Sequence, residues 1–329
     1  MAGGSAMSGN RRMAINGRYQ WRCVTDRAAF AARDGAGALV FQDRMWLLGG
    51  WNPDDKTHFP RICNSEVWSS VDGRRWELMC REAPWEGRHT AGYAVHRGRM
   101  WVIGGDANQG HYQSDVWSSE DGVHWTCVTR QAPWGPRVLH HTVAFADRLW
   151  VMGGQTLPQF APAEERYYAD VWCSEDGKAW RQVLDDAPWA PCGMIGGSAV
   201  WRGRIWLLGG GTYDTPGRPQ RLYSNTVWSS ANGVAWERAP SPPPWPPRQY
   251  HEVAVFDDRL WVLEGCSAGV GNRNDVWCSA DGERWEELPG TPWAPRHAAS
   301  VFVFDGSLWV VAGNNMEPDV WCLQARSEG

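Results

Sequence analysis

The sequence predicts an all-β chain built as six copies of one four-stranded unit, arranged as the blades of a closed ring. Three observations predict it. First, an apolar run ending in Trp and usually Gly-Gly recurs, at Trp46-Leu-Leu-Gly-Gly50, Trp101-Val-Ile-Gly-Gly105, Trp150-Val-Met-Gly-Gly154, Trp206-Leu-Leu-Gly-Gly210, Trp261-Val-Leu-Glu-Gly265 and Trp309-Val-Val-Ala-Gly313. The steps are 55, 49, 56, 55 and 48 residues, and self-similarity at a fixed period of this size marks a repeat architecture. Second, each copy runs on through a loop to Val-Trp, with a Gly turn and a further Trp after it in the complete copies. Third, one copy is split between the chain ends. Asn16-Gly17 and Trp21-Arg-Cys-Val24 match the end of a unit, whereas the last copy stops at Val320-Trp-Cys-Leu323. The N-terminal segment is therefore expected to supply the outer strand of the sixth blade, which removes the open edge of a stack.

Each unit reads in the same order. The first strand is the run before the first Trp, such as Ala91–His96, and a tight turn (Asp147-Arg148, Asp257-Asp258, Asp305-Gly306) leads to the second, which ends at Gly-Gly. The third is Val-Trp followed by small residues. Asp72-Gly73, Asp121-Gly122, Asp176-Gly177, Asn232-Gly233 and Asp281-Gly282 are hairpin signals that turn it into the fourth. A Pro-Trp loop then leads to the next unit, with Phe30 in the Trp place of the first such loop. Four strands taken six times give a six-bladed β-propeller. The expected organisation is a flexible tail over 1–14 and one propeller domain over 15–329.

The 25 Trp follow from the repeat. All but Trp51 and Trp201 fall at the second-strand end, after Val, after the Gly turn or after Pro. Each ring buries roughly 150–250 Å², so these are expected to form the core rather than a ligand-stacking stripe. The net charge of −5 with mixed signs argues against a nucleic-acid partner. No apolar run has the 18 or more residues of a membrane span, and residues 1–15 lack the apolar segment of a secretory leader. The expectation is a cytoplasmic monomer. Nine Cys without paired C-x-x-C spacing read as free thiols in a reducing compartment. No cofactor and no metal are expected.

Arg, a strand, Gly-Gly, a loop and a second Trp together resemble the Kelch repeat. Pro136-Arg137-Val-Leu-His140 and Pro247-Arg248-Gln-Tyr-His251 resemble the start of a Kelch blade closely, and the likeness covers about residues 16–323. It implies the propeller, but the family spans protein-binding modules, sugar-acid mutarotases, copper oxidases and plant specifier proteins, so fold alone does not assign function. Ser70-Val-Asp72-Gly73-Arg-Arg-Trp76 looks like a sialidase Asp-box shortened by one residue, and it takes a structural reading as a hairpin brace.

The loops between second and third strands are long and unequal, spanning 51–66, 106–115, 155–170, 211–226, 266–275 and 314–319. They share a face with the Pro-Trp loops, and variable loops on a regular scaffold are where binding concentrates. They carry Trp51, His58, Arg61, His111, Tyr112, Arg166, Tyr167, Tyr168, Tyr213, Arg221 and Tyr223. Thirteen residues before each second-strand Trp stand Arg33, Arg88, Arg137, Gly193, Arg248 and Arg296. Five guanidinium groups around one mouth would attract an anion. Beside them fall His89 and His297, then His140 and His251, with Asp34 in the first of these places in blade 1. Blade 4 departs with Gly193 and Gly196-Gly197, next to Cys192.

Two functions are expected from this pattern. One is a binding module that grips a small anionic or sugar-like ligand, or an acidic partner segment, through Arg33, Arg88, Arg137, Arg248, Arg296, His89, His297 and Trp51. The other is a cofactor-independent isomerase, mutarotase or lyase using His140, His251 and Tyr250 for proton transfer. Sialic acid mutarotases are similar in fold and in an Arg-lined mouth. Glu252 ranks lower, because its parity turns it from His251. A metal-dependent enzyme ranks below both. Tyr250-His251 resembles copper ligands of galactose oxidase. The matching Tyr place in blade 2 is Thr90 and blade 1 has Gly35, so the copper-radical set is incomplete.

Overall fold

A computed structural model describes residues 15–54, 62–107, 110–189 and 196–326. It is a six-bladed β-propeller with four antiparallel strands per blade. Blade 1 runs Gly37–Phe41, Arg44–Leu48, Val67–Ser70 and Glu77–Cys80 from the axis outwards. The innermost strands of the next four blades are Gly92–His96, His141–Phe145, Gly197–Trp201 and Glu252–Phe256. Blade 6 has three strands from the C-terminus, Ser300–Phe304, Ser307–Val311 and Val320–Ala325. Its outer strand is Tyr19–Thr25, antiparallel to the third, with Tyr19 opposite Ala325 and Trp21 opposite Leu323. The closure expected from the split repeat is present. The expected tail over 1–14 lies outside the described residues.

Tryptophan builds the joints between blades. The Pro-Trp ring at the end of one blade meets the fourth-strand Trp of the next edge to face. The pairs are Trp85–Trp125, Trp134–Trp180, Trp189–Trp236, Trp245–Trp285 and Trp293–Trp21, at 5.7–5.9 Å between centroids. Phe30–Trp76 completes the ring at 5.2 Å, so Phe30 does fill the Trp place. Such pairs add about 0.5–1.5 kcal/mol each beyond the area they bury.

The shortened Asp-box acts as the brace its sequence suggests. Ser70 Oγ accepts the N–H of Gly73, Asp72 Oδ1 accepts those of Arg74 and Arg75, and Trp76 Nε1 donates to the Gly73 carbonyl. Gly is required there for a further reason. A Cβ on Gly122, at φ +74, would lie 2.1 Å from the ring of Trp46 in the preceding blade. Gly73, Gly177, Gly233 and Gly282 meet Trp309, Trp101, Trp150 and Trp206 in the same way. Two of the expected loops are shorter than their sequence limits. In blades 2 and 4 pairing continues past Gly-Gly over Arg99–Ala107 with His111–Ser119 and Arg204–Thr212 with Leu222–Ser230.

Candidate functional site

The five arginines stand at the starts of the innermost strands, but they do not offer free charge. All are 1% exposed or less. Each meets a carboxylate at 2.6–2.7 Å: Arg33 with Glu66, Arg88 with Asp115, Arg137 with Asp170, Arg248 with Asp275 and Arg296 with Asp319. Nη1 also donates to the carbonyl sixteen residues on, at Gly49, Gly104, Gly153, Glu264 and Ala312. The same carboxylates accept the indole N–H two residues later, from Trp68, Trp117, Trp172, Trp277 and Trp321. The planar fork of Arg suits this double duty. The group ties the start of the first strand to the third, and the expected cationic ring is corrected to a set of neutralised structural staples. A signal for this was present: an acid stands two residues before Trp in five Val-Trp pairs. The unit with Gly193 in the Arg place has Thr226 there instead. Gly193 and Cys192 fall outside the described residues, as do His58 and Arg61.

The histidines divide. His140 and His251 are buried against Trp134 and Trp245. His140 Nε2 lies 3.1 Å from the Ile103 carbonyl, and His251 Nε2 takes the Gly197 N–H at 3.3 Å. Burial, and then the neighbouring Arg137 and Arg248, push both imidazoles down to about 3. Neutral at physiological pH and engaged with strand backbone, they pack blades together. Both also border, with Tyr250, the cavity inside the central channel. His89 and His297 instead reach the mouth of the channel.

That mouth, on the long-loop face, is aromatic and acidic. A pocket of about 240 Å³ is lined by Asp34, Trp51, His89, Thr90, Tyr213, Arg221, Tyr250 and His297, among others. Tyr250 stacks on His297 at 5.0 Å, Tyr213 lies 6.1 Å from Tyr250, and Phe160 meets Tyr213 at 5.0 Å. Trp51 tilts over His89 at 6.5 Å. Tyr250 holds φ +55, a left-handed conformation that turns its ring towards these neighbours. His297 Nδ1 lies 2.7 Å from Asn272 Oδ1, and burial pushes its imidazole down to about 4.

The charges at the mouth are nearly balanced, with the residue acidic. Burial disfavours the imidazolium of His89, but Asp106 Oδ1 at 2.6 Å outweighs it and holds His89 well above its usual range. Arg221 Nε is met by Asp214 at 3.2 Å. Among the described residues one side-chain donor meets the Asp34 carboxyl, Asn314 Nδ2 at 3.4 Å. That carboxyl is pushed by burial up to about 6, against the pull of His89 and Asn314. Three buried polar atoms of the pocket have no partner among the described residues: Asp34 Oδ1, Trp51 Nε1 and Thr90 Oγ1.

The sequence singled out Trp51, His89, His297, Tyr213, Tyr250 and Arg221, and the fold brings them together. Of its other loop candidates, Tyr112 is buried and donates to the Leu157 carbonyl, while Tyr168 covers Arg137 at 3.7 Å. Sequence reasoning missed Asp106 and Phe160 and gave Asp34 no role. Below the mouth, past Thr90, Tyr250 and Ala298, the central channel holds a second cavity of about 300 Å³. Among the described residues, no three His, Cys, Asp or Glu side chains gather as a metal site would require. No helix there is long and apolar enough to cross a membrane. No protein-family model matches the chain, and no curated protein sequence does either.

Proposed function

We propose that the protein is a binding propeller that takes a small, neutral, carbohydrate-like ring at the channel mouth on its long-loop face. One observation carries this reading: Asp34 Oδ1, Trp51 Nε1 and Thr90 Oγ1 are buried without partners among the described residues, around a pocket walled by Trp51, Tyr213 and Tyr250. Leaving such groups unsatisfied costs on the order of 1–3 kcal/mol each, and a ring bearing hydroxyls both donates and accepts. Its C–H faces pack on the aromatic walls. The Kelch likeness is compatible with a ligand on this face. An anion is disfavoured, since the five guanidinium groups are already matched by carboxylates and the pocket wall carries the Asp34 carboxyl.

Isothermal calorimetry against a panel of neutral hexoses and pentoses tests the reading. The expected result is binding by at least one of them that weakens about tenfold or more in Trp51→Ala, a loss of the size stacking contributes. If the folded wild-type chain binds none of them, or Trp51→Ala binds as the wild type does, the reading fails.

A further inference from the structure

A smaller cavity of about 90 Å³ opens off the mouth and shares His89, Thr90, Tyr213 and Tyr250 with it. Direct contacts close a circuit around this side cavity. Asp106 stands opposite Tyr112 across the paired strands of blade 2. The Tyr112 hydroxyl donates to the Leu157 carbonyl at 3.0 Å and accepts the Leu157 N–H at 3.1 Å. Two residues before Leu157, Gln155 exchanges backbone hydrogen bonds with Val138 at 2.9 and 3.1 Å. Leu139, next to Val138, donates its N–H to the Thr90 carbonyl at 3.3 Å. Thr90 follows His89, and His89 Nδ1 returns to Asp106 Oδ1 at 2.6 Å.

Gln155 is the odd member of this circuit. It is fully buried, yet neither Oε1 nor Nε2 has a partner among the described residues. The repeat and the strand both fix where its side chain goes. It stands directly after the second Gly of its unit, the place of Trp51 in blade 1, Asp106 in blade 2 and Cys266 in blade 5, and all four border the mouth or its side cavity. Successive side chains of a strand point to opposite faces, and Thr156 turns the other way, donating to the Glu164 carbonyl at 2.8 Å. The two charges on the cavity wall, His89 and Asp106, match each other. The unanswered group is therefore one neutral amide.

We propose that this side cavity takes two adjacent hydroxyls of the ring held at the mouth, one donating to Gln155 Oε1 and its neighbour accepting from Gln155 Nε2. The inference rests on the carbohydrate reading and narrows its ligand class to rings with an unblocked vicinal diol. A planar amide holds an acceptor and a donor side by side, and a vicinal diol answers both at once. A carboxylate would leave Oε1 unanswered and an ammonium group would leave Nε2, and a buried polar atom without a partner is costly. At about 90 Å³ the cavity has the room of roughly three water molecules. That admits two hydroxyls and leaves the ring itself in the mouth, against Trp51.

Calorimetry with glucose and its four analogues lacking one ring hydroxyl tests this: 1,5-anhydroglucitol, 2-deoxyglucose, 3-deoxyglucose and 4-deoxyglucose. Two analogues altered at neighbouring positions are expected to bind the wild type about tenfold or more weakly than glucose does, and the others within about threefold. Gln155→Met, similar in length and checked for fold by circular dichroism, is expected to bind glucose at least about tenfold more weakly. In that variant the penalty for the two deletions is expected to shrink to within about threefold, because amide and hydroxyls act as one interaction. Trp51→Ala is expected to weaken glucose and all four analogues alike. Unchanged glucose binding by Gln155→Met, or deletion penalties that persist in it, would overturn this inference and leave the mouth reading standing. Unchanged binding by Trp51→Ala with the Gln155 effects intact would sink the stacking wall of the mouth alone, and a wild type that binds no glucose would overturn both.

Discussion

Glu264 and Ala299 exchange the sizes that Gly209 and His251 have one joint away. At two blade joints a glycine faces a histidine: a Cβ on Gly104 would lie 3.1 Å from His140, and one on Gly209 would lie 2.6 Å from His251. Between blades 5 and 6 the glycine place holds Glu264, still at φ +54, and the histidine place holds Ala299, whose N–H the carboxylate takes. The joint keeps its volume but trades an imidazole for an acid. Rebuilding it as Glu264→Gly with Ala299→His is expected to give a variant more stable than the two single changes predict together. The coupling is about 1–2 kcal/mol, as for residues that fill one space. Urea denaturation of all four members of the cycle measures it, and additivity would contradict the exchange.

The buried staples make a separate prediction. Asp115→Ala strands the Arg88 guanidinium, which is fully buried, and is expected to cost about 3–5 kcal/mol. The double change Arg88→Met with Asp115→Leu removes both charges and is expected to cost clearly less. Denaturation midpoints compare them. An equal loss in the two would mean that the bonds to Gly104 and Trp117, rather than the charge pair, dominate.

The six units, their strands and the N-terminal closure were legible because each is written as a recurring spacing with its own turn chemistry. The position of the five arginines was equally legible. Their neutralisation was not, since each partner lies 23–33 residues on, across a loop of varying length. The acid before Val-Trp was the clue. Trp51, Tyr213 and Tyr250 could be assigned to the mouth from loop face and strand start. The channel acids could not. Glu252 occupies a place that holds Gly37, Gly92, His141, Gly197 and Ser300 in the other blades, and a period does not say what surroundings an odd residue in that place will meet.

Stability is expected to depend on pH from both sides. His140, His141 and His251 are held near 3 and His297 near 4. Below their unfolded value, near 6.5, the unfolded chain binds these protons and the folded chain does not, so their contribution is lost as pH falls from about 6.5. Glu252 and Glu264, raised by burial, and His89, raised by Asp106, act oppositely. There the folded chain holds protons that the unfolded chain has shed, and stability falls as pH rises. Asp34, raised to about 6, adds to the same side below that pH. The maximum is expected near pH 6, read by thermal unfolding across pH 4–9. Glu252→Gln is expected to flatten the alkaline limb, and an unchanged limb would contradict the burial of that acid.

The hairpin glycines differ in what surrounds them, although their backbones are alike. Gly122→Ala places a methyl into the Trp46 ring and is expected to cost more than about 2 kcal/mol. Gly98→Ala has a similar φ, +69, but nothing within 4 Å, and is expected to cost about 1 kcal/mol through backbone conformation alone. Melting temperatures of the two variants compare them directly, and equal losses would remove the packing argument.

The central claim is that an acidic aromatic mouth, and not a cationic ring, decides what this propeller holds. Calorimetry with a matched pair of ligands, glucose and gluconate, on the wild type and on Asp34→Asn tests it most directly. The account predicts that glucose binds the wild type more tightly than gluconate does, and that Asp34→Asn narrows the gap. Tighter binding of gluconate to the wild type, unaffected by Asp34→Asn, would contradict it.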